Sequence, residues 1–173
     1  VKHTIGRLLL FVASALFLAG AFLHAEELTW DNDFSRGLRG WMLGGNAKLK
    51  REGAVMYIRL EGPADNGIAD CRSPELTLDG AEHEYELSCT YRTDVEQSQL
   101  HSGAWSIFSK LDGDKKLVGD WTGLTLGQSA GWTTAKTTVK IPAGTKTFQA
   151  GIRVQGRPGK TLDVRTVFLR SIR

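Results

Sequence analysis

The chain has 173 residues, 41% of them hydrophobic, with 20 glycines, four prolines, two cysteines and a formal charge of +3. That length suits one domain with a single buried core. Two of the 22 basic residues, Lys2 and Arg7, lie at the amino end ahead of all 19 acids, which leaves the rest near +1; the sequence pI of 9.0 is then no argument for a nucleic-acid partner. Residues 1–25 read as a secretory signal: Lys2, His3 and Arg7 form the basic start, and an apolar stretch from Leu8 to Leu23 follows. Cleavage is expected after Ala25, with Ala19-Gly20-Ala21 as an earlier alternative. The apolar stretch is short for a membrane span, so an uncleaved leader is the one membrane contact in view. No cysteine borders either cleavage site, which argues against a lipoprotein anchor. The expected localisation is secreted or periplasmic, with residues 26–173 as the working domain.

Beyond the leader, alternation with period 2 recurs, broken by glycine and Asp-Gly turns. The spacing predicts strands over 47–51, 54–61, 67–78, 83–93, 103–111, 115–118, 134–141, 146–155 and 161–171. In HEYELSCTYR, Tyr85, Leu87, Cys89 and Tyr91 share one face; in TFQAGIRVQ, Phe148, Ala150, Ile152 and Val154 do. In TTVKIP the inward set is Thr137, Val139 and Ile141. Asp112-Gly113 reads as a hairpin turn in which glycine takes the positive φ. Short strands with many glycines indicate an all-β fold, a two-sheet antiparallel β-sandwich of jelly-roll type. Cys71 and Cys89 lie symmetrically about Gly80; if their strands pair around that turn they come to bridging distance as a disulfide, and otherwise they are two buried thiols. Without a CxxC spacing, two cysteines do not make a zinc site.

The order of these pieces resembles the secreted carbohydrate-binding modules of families 4 and 9, galactose-binding-like jelly rolls. DNDFSRGLRGW (31–41) is similar to their opening strand, and HEYELSCTYR (83–92) to their tyrosine-led strand. LDGDKK (111–116) matches the hairpin, and GWTTAKTTVKIPAGTKTFQAGIRV (131–154) the Trp strand, turn and following strand. The resemblance implies that Trp41 and Trp132, with Phe34, seal the core. Asp31-Asn32 stands where the family has Asn-Gly, a mild change because asparagine also tolerates the left-handed conformation. Arg165-Thr166 replaces an acidic pair that in relatives helps hold a structural calcium; a cation in the ligand shell repels the ion, so no cofactor and no metal are expected.

A sugar site needs a flat exposed aromatic beside fixed hydrogen-bonding groups. AVMYIRL puts Tyr57 opposite the core-facing Met56, Ile58 and Leu60. In GAWSIFSKL, Trp105 and Phe108 fall on opposite faces, so one of them must leave the core, and Trp121 sits among glycines in a loop. Outward polar partners are Arg92, Gln149, Arg153 and Gln155. The expected ligand contacts are therefore Tyr57, Arg92, Trp105, Trp121, Gln149, Arg153 and Gln155. Acids concentrate between Glu61 and Glu96 and bases between Arg153 and Arg173; either these segments are sheet neighbours, or a basic stripe favours an acidic glycan. His83 and His101 are the only histidines past the leader, and neither neighbours a nucleophile elbow, so no catalytic residues and no enzymatic activity are expected. The sequence thus reads as a non-catalytic module binding a poly- or oligosaccharide. The alternative is a structural or adaptor β-sandwich that contacts another exported protein.

Overall fold

A computed structural model describes residues 30–65, 67–97 and 102–172; the leader and His101 lie outside them. The described residues form twelve strands: β1 (Trp30–Asn32), β2 (Met42–Leu43), β3 (Ala47–Glu52), β4 (Val55–Glu61), β5 (Ile68–Arg72), β6 (Leu76–Thr77), β7 (His83–Thr93), β8 (Gly103–Leu111), β9 (Thr122–Thr125), β10 (Ser129–Ile141), β11 (Thr147–Gln155) and β12 (Thr161–Ser171). Two antiparallel six-stranded sheets result. One runs β10-β7-β12-β4-β3, with β1 also on β12; the other runs β2-β5-β11-β8-β9, with β6 also on β11. The expected β-sandwich is the observed architecture.

Alternation explains which face of each strand is covered. Tyr85, Leu87, Cys89 and Tyr91 of β7 are buried in the same core as Phe148, Ala150, Ile152 and Val154 of β11. In that core Phe108 of β8 stacks on Phe148 of the neighbouring β11 with ring centroids 4.9 Å apart, and Phe34 meets Trp41 edge to face at 5.3 Å. Each fully buried aromatic or aliphatic side chain contributes about 1.5–3 kcal/mol, so this one core, filled from both sheets, holds the two layers together. The acid-rich and base-rich segments are indeed sheet neighbours: β7 pairs with β12, setting Arg92 opposite Asp163 and Glu86 opposite Arg170.

Several expectations are corrected. The strand foreseen over 67–78 is two strands, because Pro74 between them has no N–H to give to a ladder. At 115–118 there is only a single bridge from Leu117 to Leu111, and the strand that follows the turn is β9. In the turn itself, Asp112 Oδ1 accepts the backbone N–H groups of Asp114 and Lys116, and the left-handed residue is Lys115 (φ 62°) rather than Gly113. At the opening, Asn32 is paired in β1 and the left-handed turn falls on Phe34 (φ 48°). Trp132 is not core. Alternation carried back from the buried Ile141 and Val139 places it on the outer side of β10 with Thr134 and Lys136, half-buried.

The cysteines are free thiols and the hairpin about Gly80 does not form. Cys71 lies in β5 opposite Ile152, and Cys89 lies in β7, in the other sheet, opposite Ala135 and Val167. Burial pushes both thiols up, Cys89 to about 12. We therefore expect neither to react with Ellman's reagent at pH 8 until the chain unfolds, with two thiols released then. A raised folded-state pKa also makes stability fall as pH rises, from about 9, where the unfolded thiols ionise, toward about 12. Chemical denaturation of the wild type and of a Cys71→Ala/Cys89→Ala variant across that window would test it: the variant should lose less stability.

Candidate functional site

Parity along β8 decides the site. Ala104, Ser106 and Phe108 point into the core, so Trp105, Ile107, Ser109 and Leu111 point out. The conflict between Trp105 and Phe108 is resolved with Phe108 fully buried. On the neighbouring β11 the outward set is Gln149, Gly151, Arg153 and Gln155, and on β5 it is Asp70 and Arg72. Register aligns them in rows across the sheet: Ser109 beside Gln149, Ile107 beside Gly151 beside Arg72, and Trp105 beside Arg153 beside Asp70.

Over these rows lies a groove of about 290 Å³. Its floor is Ile107, Ser109, Gln149 and Gly151, one wall carries Asp70 and Arg72, and the other is built by Lys115, Leu117 and Trp121. Gly151 makes the depth. A side chain there would rise beside Ile107 Cγ1, 3.3 Å from where its Cβ would sit. Trp121 is 58% exposed, a costly arrangement for so large an apolar surface in the absence of a ligand. The loop that presents it is held from below. Val118 N–H donates to the Lys110 carbonyl (2.7 Å), Thr122 pairs with Phe108, and the buried Lys110 ammonium donates to Thr122 Oγ1 (2.9 Å).

The polar groups are only partly engaged. Gln149 Nε2 donates to the Ser73 carbonyl (2.9 Å), which fixes the amide on the groove floor. Asp70 Oδ2 accepts from Arg72 Nη2 (3.2 Å) and from Arg153 Nη2 (3.4 Å). Trp105 and Gln155 share the same outer face but lie beyond the groove's lining, half-buried at the end of the sheet where β8 begins.

Tyr57 and Arg92, also expected as ligand contacts, are on the opposite sheet and do not join this site. Tyr57 does face away from the core, yet it is only 6% exposed because Trp132 covers it edge to face at 5.6 Å. Arg92 stacks over Trp132 (4.7 Å) and Tyr57 (5.3 Å) and donates to Asp163 Oδ2 (2.8 Å) and Glu52 Oε2 (2.7 Å). Arg59 grips Asp163 through Nε and Nη2, both at 2.7 Å. Hydrogen bonds to Asp163 raise the pKa of both guanidiniums. A second hollow, of about 470 Å³, lies beside it, but Asp163 and the two arginines already satisfy one another there.

Asp70, Arg72, Ile107, Ser109, Lys115, Leu117 and Gly151 were not foreseen as site residues. Once Cys71 is taken as inward, alternation along IADCR turns Asp70 and Arg72 outward; their meeting with β11 depends on sheet order, which alternation does not encode. His83 Nε2 bonds Asp79 Oδ1 (2.7 Å) at a turn outside the groove. Among the described residues no three His, Cys, Asp or Glu side chains converge as metal ligands would. Asp163, two residues before the exposed Arg165, is occupied by arginines, so the residues present do not fit a calcium shell.

No protein-family model matches the sequence, and no curated protein does. Solved structures match in fold. The Family 16 Carbohydrate Binding Module-2 is 13% identical with a TM-score of 0.59, over 79% of this chain and 94% of that one. The CBM22-2 xylan-binding domain of Paenibacillus barcinonensis Xyn10C is 11% identical with a TM-score of 0.56, over 82% and 98%. The enzymatically active domain of bacteriophage CBA120 tailspike protein 4 is 11% identical with a TM-score of 0.57; the match takes in 88% of this chain but spans only 20% of the tailspike chain. Modules of several carbohydrate-binding families therefore recur among the structures this chain resembles, without families 4 and 9 being singled out. The chain is an all-β sandwich of two antiparallel sheets, built like the carbohydrate-binding modules.

Proposed function

We propose that the protein is an exported, non-catalytic carbohydrate-binding module that holds a poly- or oligosaccharide in the groove across β5, β11 and β8. The observation that carries this reading is Trp121, an indole 58% exposed at the lip of a trough whose floor holds Gln149 and whose far wall holds two arginines. A pyranose has an apolar C–H face that covers an indole and a rim of hydroxyls that needs donors and acceptors, and the groove offers both within one wall-to-wall span. The fold shared with carbohydrate-binding modules supports the reading, as does the order of motifs resembling families 4 and 9. The signal-like leader supports the export part of the reading.

Affinity electrophoresis and calorimetry on cellulose, xylan, β-glucan, mannan and alginate test it. We expect at least one ligand in the micromolar to millimolar range, about −4 to −8 kcal/mol. Gly151→Leu should abolish that binding with little change in melting temperature. Its backbone is not left-handed, and the atom nearest the new Cβ is Cγ1 of the Ile107 side chain at 3.3 Å, which can give way. Absence of binding to every ligand, or full binding by Gly151→Leu, would overturn the assignment.

A further inference from the structure

Resting on the groove being the sugar site, we infer that its ligand carries hexuronate carboxylates. The lining residues supply three cations, Arg72, Lys115 and Arg153, against one carboxylate, Asp70. Lys115 is paired with Glu75 outside the lining, so the two guanidiniums share Asp70 alone, and both reach the same oxygen. One positive charge on the groove wall is uncompensated. Within the described residues, only one of the five N–H donors of Arg153 is engaged, at the long distance of 3.4 Å; its Nε is shielded from water and has no partner. A guanidinium only donates, and the acceptor that matches its planar fork is a carboxylate, held by charge-assisted pairs about twice as strong as those to neutral hydroxyls.

The arginines of the opposite face are furnished differently. There Arg59 and Arg92 have Asp163 and Glu52 at 2.7–2.8 Å, so each guanidinium has a close carboxylate already. At the groove the order of rows places Arg153 between Asp70 and Trp105, with Arg72 one row nearer the groove floor. A uronate whose ring lies toward Trp121 can turn its carboxylate to the arginine wall. Asp70 then serves to hold the two guanidiniums side by side and oriented.

The test is calorimetric titration of the full chain with oligogalacturonate and oligoalginate, the same oligosaccharides after carboxyl reduction, xylohexaose and a sulfated galactan. The expected result is that at least one uronate binds about tenfold or more tighter than its own carboxyl-reduced form, and that this ratio shrinks as sodium chloride is raised. Arg153→Gln should erase the ratio by weakening the uronate about tenfold more than its reduced form. Because Arg153 is half-buried, the exposed Arg72→Gln is the second variant, expected to lower the ratio in a protein of unchanged stability. Equal binding of uronate and reduced forms, or preference for the sulfated galactan, would overturn the inference and leave the proposed function standing. No binding of any probe, neutral or charged, would overturn both.

Discussion

Trp121→Ala is expected to weaken binding of the best oligosaccharide by about tenfold or more, the scale of a central aromatic contact, while leaving the melting temperature within about 1 °C. The two halves of this result come from one fact. More than half of the indole surface faces water in the free protein, so its removal exposes little new apolar area and costs little stability. In the complex the same indole would lose its water to a sugar face, and that gain disappears with the side chain. The loop beneath it is held by the Val118–Lys110 and Lys110–Thr122 bonds, none of which involves the indole. Trp121→Phe should recover part of the affinity, since a smaller ring still offers a flat face. Calorimetry and thermal melting on the same samples check both. Unchanged affinity in Trp121→Ala would remove the groove from consideration, and a large drop in melting temperature would show the indole to be structural after all.

What could be read from the sequence follows from what determines each feature. The face of a long strand is set by local alternation, so Tyr85, Cys89 and Val154 were assignable to the core and Gln149 and Arg153 to the outside, whereas on β8 alternation put Trp105 and Phe108 on opposite faces without saying which was inner. Short strands such as β2 and β9 carry too few residues to show a period, and they went unseen. Which sheet a strand joins is not local at all. For that reason Cys71 and Cys89, equidistant from Gly80, were placed in one hairpin when they belong to opposite sheets. The same non-locality scattered the expected site: Tyr57 and Arg92 were correctly turned outward but belong to the other outer face. Trp132 escaped for another reason. Alternation run back from Ile141, Val139 and Thr137 turns it outward with Thr134 and Lys136; the core position came from the family resemblance, not from the period.

Asp163→Ala is expected to destabilise the fold by about 3 kcal/mol, lowering the melting temperature by about 6–12 °C, without altering the groove. Asp163 is 2% exposed and receives three donors, two from Arg59 and one from Arg92. Removing the carboxylate leaves two guanidiniums facing each other across a buried space; their partial contact with solvent keeps the cost near the low end of that known for broken buried pairs. Asp163→Asn preserves the shape but replaces one acceptor oxygen by a donor, which meets a guanidinium donor, so it too should lose most of the stability. Arg92→Gln should cost less, because Arg59 keeps its two-pronged grip on Asp163. It should instead loosen the stack on Trp132 and Tyr57, visible as a shift in tryptophan emission. The ranking separates two views of this face. A structural clasp predicts losses of stability ordered by the bonds removed, with glycan affinity unchanged; a second sugar site would instead show lost affinity in Arg92→Gln. A melting temperature for Asp163→Ala within about 2 °C of wild type would show that the clasp contributes nothing to holding β4, β7 and β12 together.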